Sequence, residues 1–89
     1  MRRPSYSRQF ERDVKLQRRR GKDTGKLRAV LQLLVEERPF AEKHRDHSLS
    51  GDFSGYRECH IESDWLLIYR IEEKTVYFVR TGTHSDLFG

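Results

Sequence analysis

Cysteine is almost missing from this 89-residue chain: Cys59 stands alone and has no partner for an internal disulfide. A lone thiol fits a reducing compartment, and the cytoplasm is the simplest assignment. Long apolar runs are missing too, since no stretch approaches the roughly 18 residues of a membrane span. The basic start MRRPSYSRQF lacks the apolar segment of a secretory signal. With no repeat, low-complexity tract or linker-like stretch, the chain is expected to fold as one domain over residues 1–89. A domain of that size buries roughly 60–65% of its unfolded surface, with little to spare. Hydrophobic residues make up 35% and charged residues 36% of it, so the core must be compact and the surface heavily charged.

Acid is scarce in the first third. Residues 1–30 carry eleven Lys or Arg against three acids, a balance of +8, while the remainder balances at −4. Such asymmetry suits an acidic partner, either nucleic acid or an acidic protein. A solubilising helix face would look the same, so the charge run alone does not decide between them.

What is present falls into two periodicities. The first predicted helix runs from about Ser7 to Arg20, with Ser7 as cap, Phe10 and Val14 at i,i+4, and Gly21 beyond its end. Arg18, Arg19 and Arg20 lie at the negative end of its dipole. A second helix, capped by Asp23 or Thr24, shows an apolar stripe at Leu27, Val30, Leu31, Leu34 and Val35, and Pro39 is expected to end it. The short gap between the two predicts a helical hairpin. After Pro39 the period drops to two. YRECHI (56–61), WLLIYRI (65–71) and TVYFVR (75–80), joined by short polar connections, read as an antiparallel meander with the middle run buried on both faces. Residues 2–6 could add an edge strand. The expected architecture is α+β: an N-terminal helical hairpin packed on one face of a small antiparallel β-sheet.

The residues left over are titratable. All four histidines follow residue 43, alongside Asp64 and Arg80. Metal binding is disfavoured, because no CxxC or HExxH spacing occurs and Cys59 and His60, as strand neighbours, point to opposite faces. Cys59 inside a strand is also a poor nucleophile. Acid–base chemistry fits better. His60 and Asp64 flank one tight connection, and Arg80 and His84 finish the next strand, so all four can reach one end of the sheet. Cleavage of RNA by its own 2′-hydroxyl needs a base, an acid and a cation beside the phosphate. Trp65 and Phe88 could then stack exposed bases. A histidine taken singly could equally be a surface or hydrogen-bonded polar residue, so these residues by themselves describe a basic α+β domain for which RNA binding or RNA cutting is one reading.

DHSLSG (46–51), GYRECHIESDWLLIYR (55–70) and RTGTHSDLFG (80–89) together resemble the YafQ-type toxins of the RelE/ParE superfamily, bacterial mRNA interferases that cut messenger RNA in the ribosomal A site. The resemblance implies a RelE-like fold with no metal and no cofactor. Position by position, it makes His47, His60, Asp64 and His84 the catalytic set. The aspartate would act as base on the 2′-hydroxyl, the C-terminal histidine as acid on the leaving 5′-oxygen, and the other two histidines would steady the phosphate. Arg80 is placed like a phosphate-binding arginine, and Trp65 and Phe88 like residues lining the RNA path. Ser48 stands where close relatives often have proline, and His44 matches no catalytic position. The implied partners are mRNA on the 30S subunit of the ribosome and a small acidic antitoxin, with the toxin alone a monomer and no membrane contact. Arg18, Arg19, Arg20, Lys22 and Lys26 would face the ribosome. ParE-like members share the fold but inhibit DNA gyrase without cutting RNA, so a gyrase inhibitor is the alternative, followed by a plain nucleic-acid-binding domain. The histidine set favours the nuclease.

Overall fold

Ser7 and Asp23 start the two long helices of the structure, a computed structural model that describes residues 1–89. The chain runs β1 (Arg3–Tyr6), α1 (Arg8–Arg19), α2 (Thr24–Val35), β2 (His47–Ser48), β3 (Arg57–Glu62), β4 (Trp65–Glu72), β5 (Thr75–Gly82) and α3 (His84–Phe88), with single 3₁₀ turns at Glu42–His44 and Gly51–Phe53. Ser7 Oγ accepts the Phe10 N–H at 2.9 Å and donates to the Val79 carbonyl at 2.8 Å, so one hydroxyl caps α1 and ties it to β5. Asp23, not Thr24, caps α2. This helix ends at Val35, earlier than Pro39 would impose. Glu37 adopts a left-handed φ of 59°, and the Arg38 N–H reaches back to the Leu33 carbonyl at 2.9 Å. A backbone reversal closes the helix before proline can.

The meander forms as its periodicity predicts, but the sheet around it is mixed. Its strand order is β1-β5-β4-β3-β2, with β1 parallel to β5 and every other pair antiparallel. The edge strand expected at residues 2–6 is there, while the expectation of a purely antiparallel sheet is corrected. The direction of a terminal strand depends on which edge it docks against, and that edge is built by residues 75–78. The two-residue β2 was not foreseen, being too short to show alternation.

β4 is buried on both faces, as its composition predicts. On one face Phe10, Leu27, Val30 and Leu34 of the helices meet Cys59, Trp65, Leu67, Tyr69, Val76 and Phe78. On the other, Leu66 and Ile68 are covered by Leu87 of α3, with Leu49, Phe53, Tyr56 and Val79 around them. Fully burying one such Leu or Phe contributes about 1.5–3 kcal/mol. The register slips between His60 and Glu62 in β3 and opposite the Ile68–Tyr69 step in β5. The first lies at the end of the sheet where α3 begins, and the second is in the middle of β4 and β5. Bulges of this kind re-aim side chains.

Candidate active site

Two chain reversals meet at that end. Asp64 lies in the β3–β4 turn, and His84 is the first residue of α3. The tail that carries His84 is a capped helix. Thr83 Oγ1 accepts the Asp86 N–H at 3.1 Å, and Asp86 Oδ2 accepts the Thr83 N–H at 2.9 Å. That short helix points the His84 backbone N–H at Asp64 Oδ1, 2.9 Å away, and brings His84 Nδ1 to 2.6 Å from the same oxygen. An ionised carboxylate can only accept, so Nδ1 carries a proton and Nε2 is the ring atom left for chemistry. The His84 backbone N–H, and then its imidazole, hold the Asp64 carboxyl below the usual carboxylate range. Both side chains are open to solvent.

His60 stands behind this pair, with its ring centroid 6.0 Å from that of His84. It is 8% exposed, and its Nδ1 has no hydrogen-bond partner. Phe88 lies on the other side of His84 at 6.4 Å and packs edge-on against Phe53 at 5.6 Å. It remains exposed, so a flat apolar surface borders the titratable pair.

His47 joins from the β2 edge. Its Nδ1 lies 2.8 Å from the Arg45 carbonyl and its Nε2 3.0 Å from Glu58 Oε2. Both ring nitrogens therefore face oxygen acceptors. Glu58 is two residues before His60 on the same face of β3, is 5% exposed, and leaves Oε1 without a partner. Sequence reasoning passed over this carboxylate, although the spacing Glu58-x-His60 in a strand was enough to put both side chains on one face. Ser48, in β2, accepts from Arg57 at 2.8 Å, and Asp46 holds the same guanidinium at 2.7 Å and the Tyr69 hydroxyl. The loop carrying His47 is thus fastened to β3 and β4 without a proline.

Arg80 is partly committed elsewhere. Its Nε lies 2.7 Å from Asp13 Oδ2 and its Nη2 3.3 Å from Oδ1, and the Thr81 N–H donates to the same carboxylate at 3.1 Å. Asp13 is 5% exposed on the inner face of α1, where the Phe10–Val14 spacing had suggested apolar contact. Gln9, one turn earlier, donates to it at 3.0 Å, but the partners that explain its burial are more than sixty residues away.

Residues 2–89 match a protein family described as the bacterial toxin of a type II toxin–antitoxin system, YafQ. The chain belongs to that family. It is 46% identical over 85 residues to the mRNA interferase toxin YafQ of Escherichia coli K12, covering 94% of this chain and 92% of the relative. The crystal structure of YafQ from E. coli BL21(DE3) superposes with a TM-score of 0.95 at 43% identity, covering all of both chains. YafQ in the E. coli DinJ–YafQ complex gives 0.93 at 44%, again over all of both chains. A metal-bound toxin from Helicobacter pylori gives 0.92 at 40%, covering 99% of this chain and all of the other.

Two expectations for the toxin are corrected by packing. Trp65 cannot line an RNA path here. It is fully buried, and its indole N–H donates to Thr81 Oγ1 at 3.0 Å. A central strand sealed on both sides leaves no route to its ring. The basic hairpin is also less free than its charge implied. Arg20 pairs with Asp86, and Lys22 and Lys26 both pair with Glu62, while Arg18 and Arg19 are exposed and form no ion pair. His44 belongs to its local turn, accepting the Ala41 N–H at 3.2 Å. Burial pushes the Cys59 thiol far up, which leaves it inert as a nucleophile. No helix is long and apolar enough to cross a membrane.

Proposed function

We propose that this toxin is an mRNA endoribonuclease, in keeping with the name of its E. coli relative, mRNA interferase toxin YafQ, and that it cuts messenger RNA in the ribosomal A site. The observation that carries the reading is the Asp64–His84 pair, which leaves Nε2 of an oriented, solvent-open imidazole beside a buried histidine. In the proposed reaction Asp64 Oδ2, free of the two bonds that engage Oδ1, takes the 2′-hydroxyl proton. The 2′-oxygen attacks phosphorus, and the bond to the 5′-oxygen breaks as His84 Nε2 protonates that oxygen. The products are a 2′,3′-cyclic phosphate and a 5′-hydroxyl. Asp64 Oδ1 steadies the imidazolium before the proton leaves.

The guanidinium protons of Arg80 not used by Asp13 supply positive charge and donors at the phosphate, and His47 and His60 border it. Phe88 supplies the face on which a base can stack. The held-down carboxyl of Asp64 is a weak base near neutral pH, so the chemistry depends on a substrate strained into line. The ribosomal A site provides that geometry. These roles need no metal. An antitoxin is the proposed partner, in keeping with the DinJ–YafQ toxin–antitoxin complex of E. coli, and the basic first third favours a small acidic one; the cytoplasm, where ribosomes are, is the proposed location.

Primer extension on programmed ribosomes tests this reading. Cuts within A-site codons are expected, with rates unchanged when the toxin is stripped of bound metal by a chelator and freed of the chelator before it meets ribosomes in magnesium buffer. Equally efficient cutting of naked mRNA would refute the ribosome dependence, and a stripped toxin that cuts only after a transition metal is returned would refute the metal-free chemistry.

A further inference from the structure

The basic residues between α1 and α2 make contacts that a ribosome-facing surface would not need. Arg20 grips Asp86 with two nitrogens, Nη1 at 2.7 Å from Oδ2 and Nη2 at 3.1 Å from Oδ1. Gln17, 1% exposed, donates to the same Oδ2 at 3.2 Å. Asp86 is the residue that closes the capping box of α3, and α3 begins with His84. Gly82 completes the fit, since a Cβ there would stand 2.9 Å from the Asp86 side chain. On the other side, Lys22 and Lys26 hold Glu62 at 3.1 and 2.9 Å, just after the irregularity in β3 and two residues before Asp64.

We infer that the α1–α2 connection is a clamp that positions the Asp64–His84 pair, with Arg20 holding the tail through Asp86 and Lys22 and Lys26 holding the β3–β4 turn through Glu62. The physical need is plain. A five-residue helix is far too short to persist on its own, and an exposed ion pair such as Asp64–His84 holds little by itself. A bidentate guanidinium–carboxylate contact beside a buried glutamine is directional, and it fixes α3 against the end of α1. Arg20, Asp86 and Gln17 are positioning residues in this scheme and touch no substrate. The inference rests on the nuclease reading for its effect on rate, though not for its effect on the geometry of His84.

Two measurements separate these. The first is single-turnover cleavage against ribosome concentration for Arg20→Gln, Asp86→Asn and Arg20→Lys. Arg20→Gln and Asp86→Asn should lower the saturated rate by about 10²-fold, the scale of a misplaced catalytic group, without moving the half-saturating concentration. Arg20→Lys should recover most of the rate. The second is the NMR signature of the His84 ring in the free toxin, which should shift in Arg20→Gln and Asp86→Asn and stay near the parent position in Arg20→Lys. If Arg20→Gln instead raises the half-saturating concentration at full rate, and Asp86→Asn changes nothing, Arg20 is an rRNA contact and the clamp is wrong. Should Asp86→Asn fail to fold, Arg20→Gln, which leaves the capping box intact, decides. Should the parent itself cut nothing, the nuclease reading fails, and unmoved His84 signals would still overturn the clamp while shifted ones would support it.

Discussion

His84 has one ring nitrogen committed to Asp64 and one free, which makes glutamine an informative replacement. Glutamine can still donate to Asp64, but it cannot release a proton near neutral pH. His84→Gln is therefore expected to melt at the parent temperature and to cut programmed ribosomes roughly 10²–10⁴-fold more slowly. A normal melt with a normal rate would remove it from the mechanism. Trp65 calls for the opposite outcome. Fully buried, with its N–H on Thr81, it should act through stability. Trp65→Ala is expected to cost about 3–5 kcal/mol in denaturant unfolding, the usual range for emptying a large aromatic site. A variant as stable as the parent but defective in RNA contact would return Trp65 to the RNA path.

At the scale of elements, α3 is held by charges that titrate in acid. Arg20, followed by the Thr83 N–H, holds the Asp86 carboxyl well below its ordinary value, and His84 does the same for Asp64. A depressed carboxyl pKa contributes stability that is complete above the unfolded value of about 3.9 and is lost as pH falls through the folded one. Amide exchange and NMR signals of α3 should therefore stay constant from neutral pH down to about pH 4 and loosen below it. Asp86→Asn should lose the part of that acid transition that belongs to Arg20. An α3 that loosens first between pH 5 and 7 would point to histidine as the controlling group. Elements were also where sequence reading went furthest, because Ser7, Asp23, the α2 stripe and the three-strand meander are all written in neighbouring residues. It stopped where an element's role comes from a distant partner, as with the direction of β1, the two-residue β2 and the inward-facing Asp13 and Gln17.

Over the whole molecule, charge is unevenly spent. The basic first third looked like one continuous surface, but Arg20, Lys22 and Lys26 are paired within the chain, while Arg18 and Arg19 beside them form no ion pair. The electrostatic part of ribosome binding should follow this division. Arg18→Glu with Arg19→Glu is expected to weaken ribosome binding and to reduce the slope of affinity against salt by about one for each phosphate contact removed. Binding and salt slope equal to the parent would make the two arginines a solvated face.

Local order along the chain determined the α+β architecture, the helix caps, the doubly buried central strand and the identity of the titratable set, since each rests on periodicity or on residues a few positions apart. Tertiary structure alone decided which of those groups work together. His84 meets Asp64 because a short capped helix turns its N-terminus toward the β3–β4 reversal, and His47 meets Glu58 because a two-residue strand pairs at the sheet edge. It also decided that Trp65 is core and Arg20 a clamp. Burial and ion pairing are properties of what folds back against a residue, and for these two the partners lie about sixteen and sixty-six positions further along the chain.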